Sequence, residues 1–135
     1  MRFMLMMSAP YGTGDWDILT QWKPDALQAH MRFMQALNAD LRQEGAFVDG
    51  QGLTPPAQAR IVRARDDGSP EVTDGPFAES KEFLAGYWII DVEGPERAYE
   101  IAARISTAPG PDGKPMKMDV ELRPVYFTVS PNPAG

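Results

Sequence analysis

The sequence predicts an α+β protein in which two helices cover one face of a single antiparallel sheet. Three observations carry that prediction. The stretches Arg2–Met7 and Gly86–Val92 are apolar on both alternating faces, the pattern of strands covered on both sides. Two further stretches, opened by Pro24 and Pro95, repeat apolar residues at helical spacing. The order along the chain is strand, helix, strand, extra hairpin, strand, helix, strand.

Each element follows from its residues. In the first strand Phe3, Leu5 and Met7 share one face, and Met4 and Met6 share the other. The run is shorter than the roughly 7–15 apolar residues of a signal-peptide core, so it reads as a strand rather than a leader. Pro24 suits a first helical residue and Gly45 a terminator; Leu27, Met31, Met34, Leu37 and Leu41 lie between them, with a weak cap at Lys23. Phe47-Val48 and Gln58–Arg65 read as strand segments, interrupted by Gly50-Gln51-Gly52 and Pro55-Pro56. Asp66–Pro70 is a turn, and Glu71–Thr73 returns as a short strand. Gly86–Val92 is the strongest strand signal, with aromatic and β-branched residues. Ala98, Ile101, Ala102 and Ile105 form the stripe of the second helix. In the last strand Met118, Val120 and Leu122 alternate with Asp119, Glu121 and Arg123. One domain over residues 1–128 is expected, with 129–135 a frayed tail.

With 135 residues and 43% hydrophobic content, the chain suits one core and not disorder. A formal net charge of −6 argues against direct nucleic-acid binding and against adhesion to anionic membranes. No stretch approaches the roughly 20 apolar residues of a membrane span. The chain has no cysteine, which excludes disulfides and thiolate chemistry and fits a cytoplasmic setting. A single histidine makes a catalytic zinc site improbable, and no cofactor is expected.

Strand order of this kind is ferredoxin-like, with the first and third strands of the main sheet at its centre. The helices cover one face of those strands. A homodimer is the simplest cover for the other, where Met4 and Met6 would otherwise lie exposed.

Residues 74–82 read Asp-Gly-Pro-Phe-Ala-Glu-Ser-Lys-Glu, followed by Phe83-Leu84-Ala85-Gly86-Tyr87-Trp88. This segment resembles the signature of the DGPF family, related to the YCII-like proteins, with Ser80 in place of threonine. Met1-Arg2-Phe3-Met4, Gly50–Pro56 and Glu121–Val125 are similar to further pieces of that family in the same order. The resemblance implies a ferredoxin-like subunit of a dimeric α+β barrel. The family itself has no settled activity, but other families on the same barrel act on small organic molecules, so a ligand or substrate of that kind is expected near the motif. The alternative is a non-catalytic regulatory role beside an extracytoplasmic-function sigma factor, near whose genes such proteins often lie. YCII proteins proper are thought to use a histidine of the first helix with an aspartate after the second. Here that place reads Ser106-Thr107-Ala108-Pro109, so the pair is not carried over.

Asp74 is the first candidate for catalysis. An Asp-Gly-Pro sequence also forms a turn, with the carboxylate accepting backbone N–H groups. The chemical alternative places Asp74 at a pocket rim as an acid or base, partly buried beside Phe77. Gly75, Pro76, Phe77, Glu79 and Lys81 would form the ligand-facing remainder of the motif, against the plainer reading of a solvated turn. His30, on the edge of the first helix's stripe, is a second catalytic candidate or a satisfied boundary residue. Arg63 and Arg65, with Arg60, either protect a strand edge or clamp an anionic ligand. Tyr11, Trp16 and Trp22 line a pocket or pack on the core.

Overall fold

A computed structural model describes residues 1–10, 22–75 and 82–129. The elements are β1 (Arg2–Pro10), α1 (Pro24–Gln43), β2 (Phe47–Gly52), a 3-10 turn (Pro56–Gln58), β3 (Arg60–Ala64), β4 (Pro70–Asp74), β5 (Glu82–Asp91), α2 (Pro95–Ser106) and β6 (Val120–Pro124). Four strands form one antiparallel sheet in the order β2-β5-β1-β6, and β3 and β4 form a separate hairpin. This is the ferredoxin-like α+β arrangement, with β1 and β5 central as their two-sided apolar pattern requires. Correct in kind, the sequence reading errs at several strand ends: the last strand begins at Val120 rather than Met118, β3 begins at Arg60 with Gln58 in the 3-10 turn before it, and β1 continues to Pro10. β2 runs through Gly50-Gln51-Gly52 where a break was expected, and β5 begins at Glu82, well before Gly86. Direct pairing of Gly50, Gln51 and Gly52 with Trp88, Tyr87 and Gly86 holds the glycines in the ladder. Tertiary pairing thus overrides their weak strand propensity.

α1 starts without a side-chain cap, at Pro24, whose missing N–H costs nothing in a first turn. It ends at Gly45, with φ of +78°, which lets the chain reverse. The Gly45 N–H donates to the Arg42 carbonyl at 3.1 Å and the Ala46 N–H to the Leu41 carbonyl at 2.8 Å. These bonds satisfy carbonyls that the helix end would leave open.

The core lies between the helices and one sheet face. Phe3, Leu5, Leu37, Leu41, Ile90, Ile101 and Ile105 are fully buried there. Arg104 of α2 reaches Asp40 of α1 at 2.8 Å, and Arg97 reaches Glu44 at 2.9 Å, so ion pairs fasten the two helices at the rim. On the opposite sheet face Met4, Met6, Tyr87 and Ile89 stay half-buried in the free chain. Met4 pairs with Ile89 and Met6 with Tyr87 across the β1–β5 ladder, which makes this face a continuous apolar strip. There Tyr87 donates its hydroxyl to Asp49 at 3.0 Å, and that bond pushes the Tyr87 phenol above its ordinary pKa.

Among the described residues no helix is long and apolar enough to cross a membrane. The expectations for Tyr11, Trp16 and most of the C-terminal tail fall on residues 11–21 and 130–135, outside the described residues.

Candidate functional site

Where α1 crosses the end of the sheet, the core opens into a cavity of about 290 Å³. Its wall is built from α1 (His30, Met31, Met34, Asn38), from the end of β2 and the following segment (Gly50–Pro55), and from β5 (Phe83, Ala85, Gly86, Trp88). Met7, Trp22 and Met116 complete it. Among the described residues no Asp, Glu, Lys or Arg lines the space. An apolar cleft with a few polar groups is the usual form of a small-molecule site.

Local irregularities make the room. The β1–β5 register shifts so that Met7 faces Gly86 while Ser8 faces Leu84, leaving Ala85 as the extra residue of a bulge. The bulge resets the alternation and returns Phe83 to the helix-facing side, where it lines the cavity. The Leu53 N–H donates to the Ala85 carbonyl at 2.8 Å, which ties the segment after β2 to the bulge. Gly86 is required at this crossing, since a Cβ there would lie 2.8 Å from the Gln51 carbonyl oxygen. A Cβ on Gly50 would meet the Trp88 ring at 3.1 Å. Trp88 is itself held by its indole N–H, which donates to Asn38 Oδ1 at 3.0 Å.

His30 is the one ionisable side chain in the described wall, and it is 7% exposed. Its Nδ1 lies 3.0 Å from the carbonyl oxygen of Pro109, and Trp22 meets the ring edge-on at a centroid distance of 5.1 Å. A carbonyl only accepts, so Nδ1 carries the proton that joins them. In the neutral ring Nε2 is then the acceptor, and it has no hydrogen-bond partner among the described residues. Pro109 is fixed by its own loop. The Ala108 N–H donates to Ile105 O at 3.0 Å, the Met116 N–H to Ala108 O at 2.9 Å, and the Ser106 hydroxyl to Met118 O at 2.6 Å. The histidine of the first helix therefore does meet the segment after the second, through a backbone carbonyl rather than an aspartate.

The other candidates lie elsewhere. Asp74 ends β4 with its side chain 95% exposed and 3.7 Å from Arg60 Nε. Asp74 is thus exposed rather than partly buried, and neither Asp74 nor Gly75 is among the described residues of the cavity wall. The Gly75 N–H donates to Ala59 O at 2.9 Å, and a Cβ there would meet the Ala59 carbonyl carbon at 3.1 Å, so this glycine is set by close backbone approach. Pro76, Phe77, Glu79 and Lys81 lie outside the described residues. Arg63 sits on β3 and Arg65 just beyond it, on the hairpin and away from the cavity wall; Arg65 donates to Ser69 and to the Pro70 carbonyl. Sequence reasoning missed the methionines and the Gly50–Leu53 segment as cavity wall. The only hint was two glycines flanking Gln51 in a stretch otherwise able to pair.

These features define the class: a ferredoxin-like α+β chain carrying, between its first helix and the end of its sheet, a partly enclosed cavity whose described wall holds no Asp, Glu, Lys or Arg. The particular family is also clear. Residues 1–110 match the model of the YCII-related domain, and the chain belongs to that family. It is similar to an uncharacterised protein of Rhizobium meliloti (strain 1021), 28% identical over 120 residues that span 89% of this chain and 92% of the relative.

Proposed function

We propose that this chain binds a small, neutral, mainly apolar organic molecule in the cavity beside His30, and that the histidine accepts a proton or hydrogen bond from it. The observation that carries this reading is the pairing of a wall without Asp, Glu, Lys or Arg among the described residues with one oriented imidazole. Nδ1 is committed to Pro109, so Nε2 is the acceptor presented to a ligand. An anionic ligand would have to leave water for a wall with no cation among the described residues, which is costly. Arg63 and Arg65 stand on the hairpin and serve its edge. We read Asp74 in the same way, as the hairpin's closing residue paired with Arg60. Within the YCII-related family, the sequence of residues 74–82 supports assignment to the DGPF branch. The half-buried strip of Met4, Met6, Tyr87 and Ile89 supports a homodimer formed through the open sheet face.

Binding is tested with 2-naphthol and 2-naphthoate, which share a ring system and differ in charge. Naphthol is expected to raise the melting temperature and quench tryptophan fluorescence, and naphthoate to do neither at equal concentration. Preferential binding of naphthoate would refute the reading. His30→Phe should keep the fold and lose selectivity for naphthol over naphthalene, because the hydroxyl then has no acceptor.

A further inference from the structure

We infer that Asn38 donates a hydrogen bond to the far end of the ligand that His30 holds, so that the cavity selects an aromatic hydroxyl compound with a carbonyl at its opposite end. This rests on the neutral-ligand reading above and adds to it a second recognition group and the class of molecule that satisfies both.

A neighbour fixes the orientation of this amide. The Trp88 indole N–H only donates, so the Asn38 atom it meets at 3.0 Å is the carbonyl oxygen. Trp88 is buried, and its ring packs so close to Gly50 that a Cβ there would lie 3.1 Å from it, which gives the amide a firm anchor. Asn38 Nδ2 then keeps two N–H groups, and neither has a hydrogen-bond partner among the described residues. Asn38 is half-buried and stands in the cavity wall. Gln51 and Thr54, the other amide and hydroxyl side chains of the described wall, are exposed, and Gln51 Nε2 already donates to Asp49 at 3.0 Å. Asn38 is therefore the sheltered amide donor that the wall offers a ligand.

Spacing sets the shape of that ligand. His30 and Asn38 are eight residues apart on α1, about 12 Å along its axis. Met34 stands midway between them, and the sheet side of the wall includes Gly50, Ala85 and Gly86. Thioethers pack well on ring edges, and small residues leave a smooth surface for a flat ring system. The two ends differ in hydrogen-bond sense. His30 Nε2 accepts in the neutral ring, and Asn38 Nδ2 donates. A molecule with a hydroxyl at one end, fused rings between and a carbonyl at the other satisfies both ends at once. A diketone would set one carbonyl against the lone pair of Nε2.

The test uses the full chain in calorimetric titrations with 6-acetyl-2-naphthol and 6-isopropyl-2-naphthol, which are close in shape and differ in the carbonyl. The natural chain is expected to bind the acetyl compound roughly three- to tenfold more tightly. The ketone stretch of that ligand should move to lower frequency in infrared difference spectra of the complex. Asn38→Asp keeps an oxygen for the Trp88 N–H and puts an acceptor where the donor was. It should leave the melting temperature and the isopropyl affinity near their natural values, erase the acetyl preference and return the ketone stretch. If both naphthols bind, an unmoved ketone stretch in the natural chain, or an acetyl preference that Asn38→Asp retains, would overturn the role of Asn38 while sparing the His30 reading. Binding of neither naphthol would overturn both.

Discussion

Replacing Gly86 by alanine should destabilise the chain, whereas the same change at Gly52 should not. The two glycines are directly opposed in the β2–β5 ladder, so they share strand context and differ in what a methyl group would meet. At Gly86 it would lie 2.8 Å from the Gln51 carbonyl oxygen, a backbone atom that cannot rotate away; at Gly52 nothing stands within 4 Å. Crowding of this kind costs about 1–3 kcal/mol. Alanine returns roughly 0.5–1 kcal/mol through the unfolded state at either position. The net is a loss of about 1–2 kcal/mol for Gly86→Ala and a small gain for Gly52→Ala. With an unfolding entropy near 2.1 cal/mol/K per residue, the loss lowers the melting temperature by roughly 4–7 °C. The relieving movement would push β2 outward and displace Gly50–Leu53, so naphthol binding should weaken in the same variant. Thermal melts of the two variants, with and without naphthol, provide the assay. Equal melting temperatures for Gly86→Ala and Gly52→Ala would refute the close-approach argument.

Other consequences are checked more briefly. Asp74→Asn should leave the melting temperature within error of the natural chain and leave naphthol binding unchanged, since a 95% exposed ion pair contributes little; a clear loss of binding would return Asp74 to the site. Trp88→Phe removes the N–H donated to Asn38 and should cost about 1–3 kcal/mol in urea unfolding, by unpairing Asn38 at the cavity wall. Tyr87 has its phenol raised by the bond to Asp49, so its stabilising effect is complete below the ordinary tyrosine pKa and fades as pH rises through the folded value. In ultraviolet difference titration Tyr87 should therefore ionise above the ordinary tyrosine range, and Tyr87→Phe should delete that late phase.

Much of the fold was legible because periodicity depends on side-chain type alone. Phe3-Leu5-Met7 against Met4-Met6 gave the faces of β1, and Pro24 with Gly45 gave the limits of α1. The extension of β2 through Gly50 and Gly52 was not legible, because those glycines are ordered by Trp88 and Gly86 on another strand. The cavity was hidden for the same reason. It depends on a bulge at Ala85, which no local pattern marks. His30 was legible as a residue but not as a site, since its partner is a carbonyl that any residue at 109 could supply. The acidic motif drew attention to Asp74 by its chemistry, while the geometry leaves that carboxylate in water.

The sharpest test lies in the chain's single histidine. A long-range proton–nitrogen spectrum of the imidazole resolves one ring without assignment, before and after addition of 2-naphthol. The account predicts a proton on Nδ1, held by the Pro109 carbonyl, and an Nε2 resonance that moves when the naphthol hydroxyl binds. A ring protonated at Nε2, or an Nε2 signal that saturating naphthol leaves in place, would contradict it.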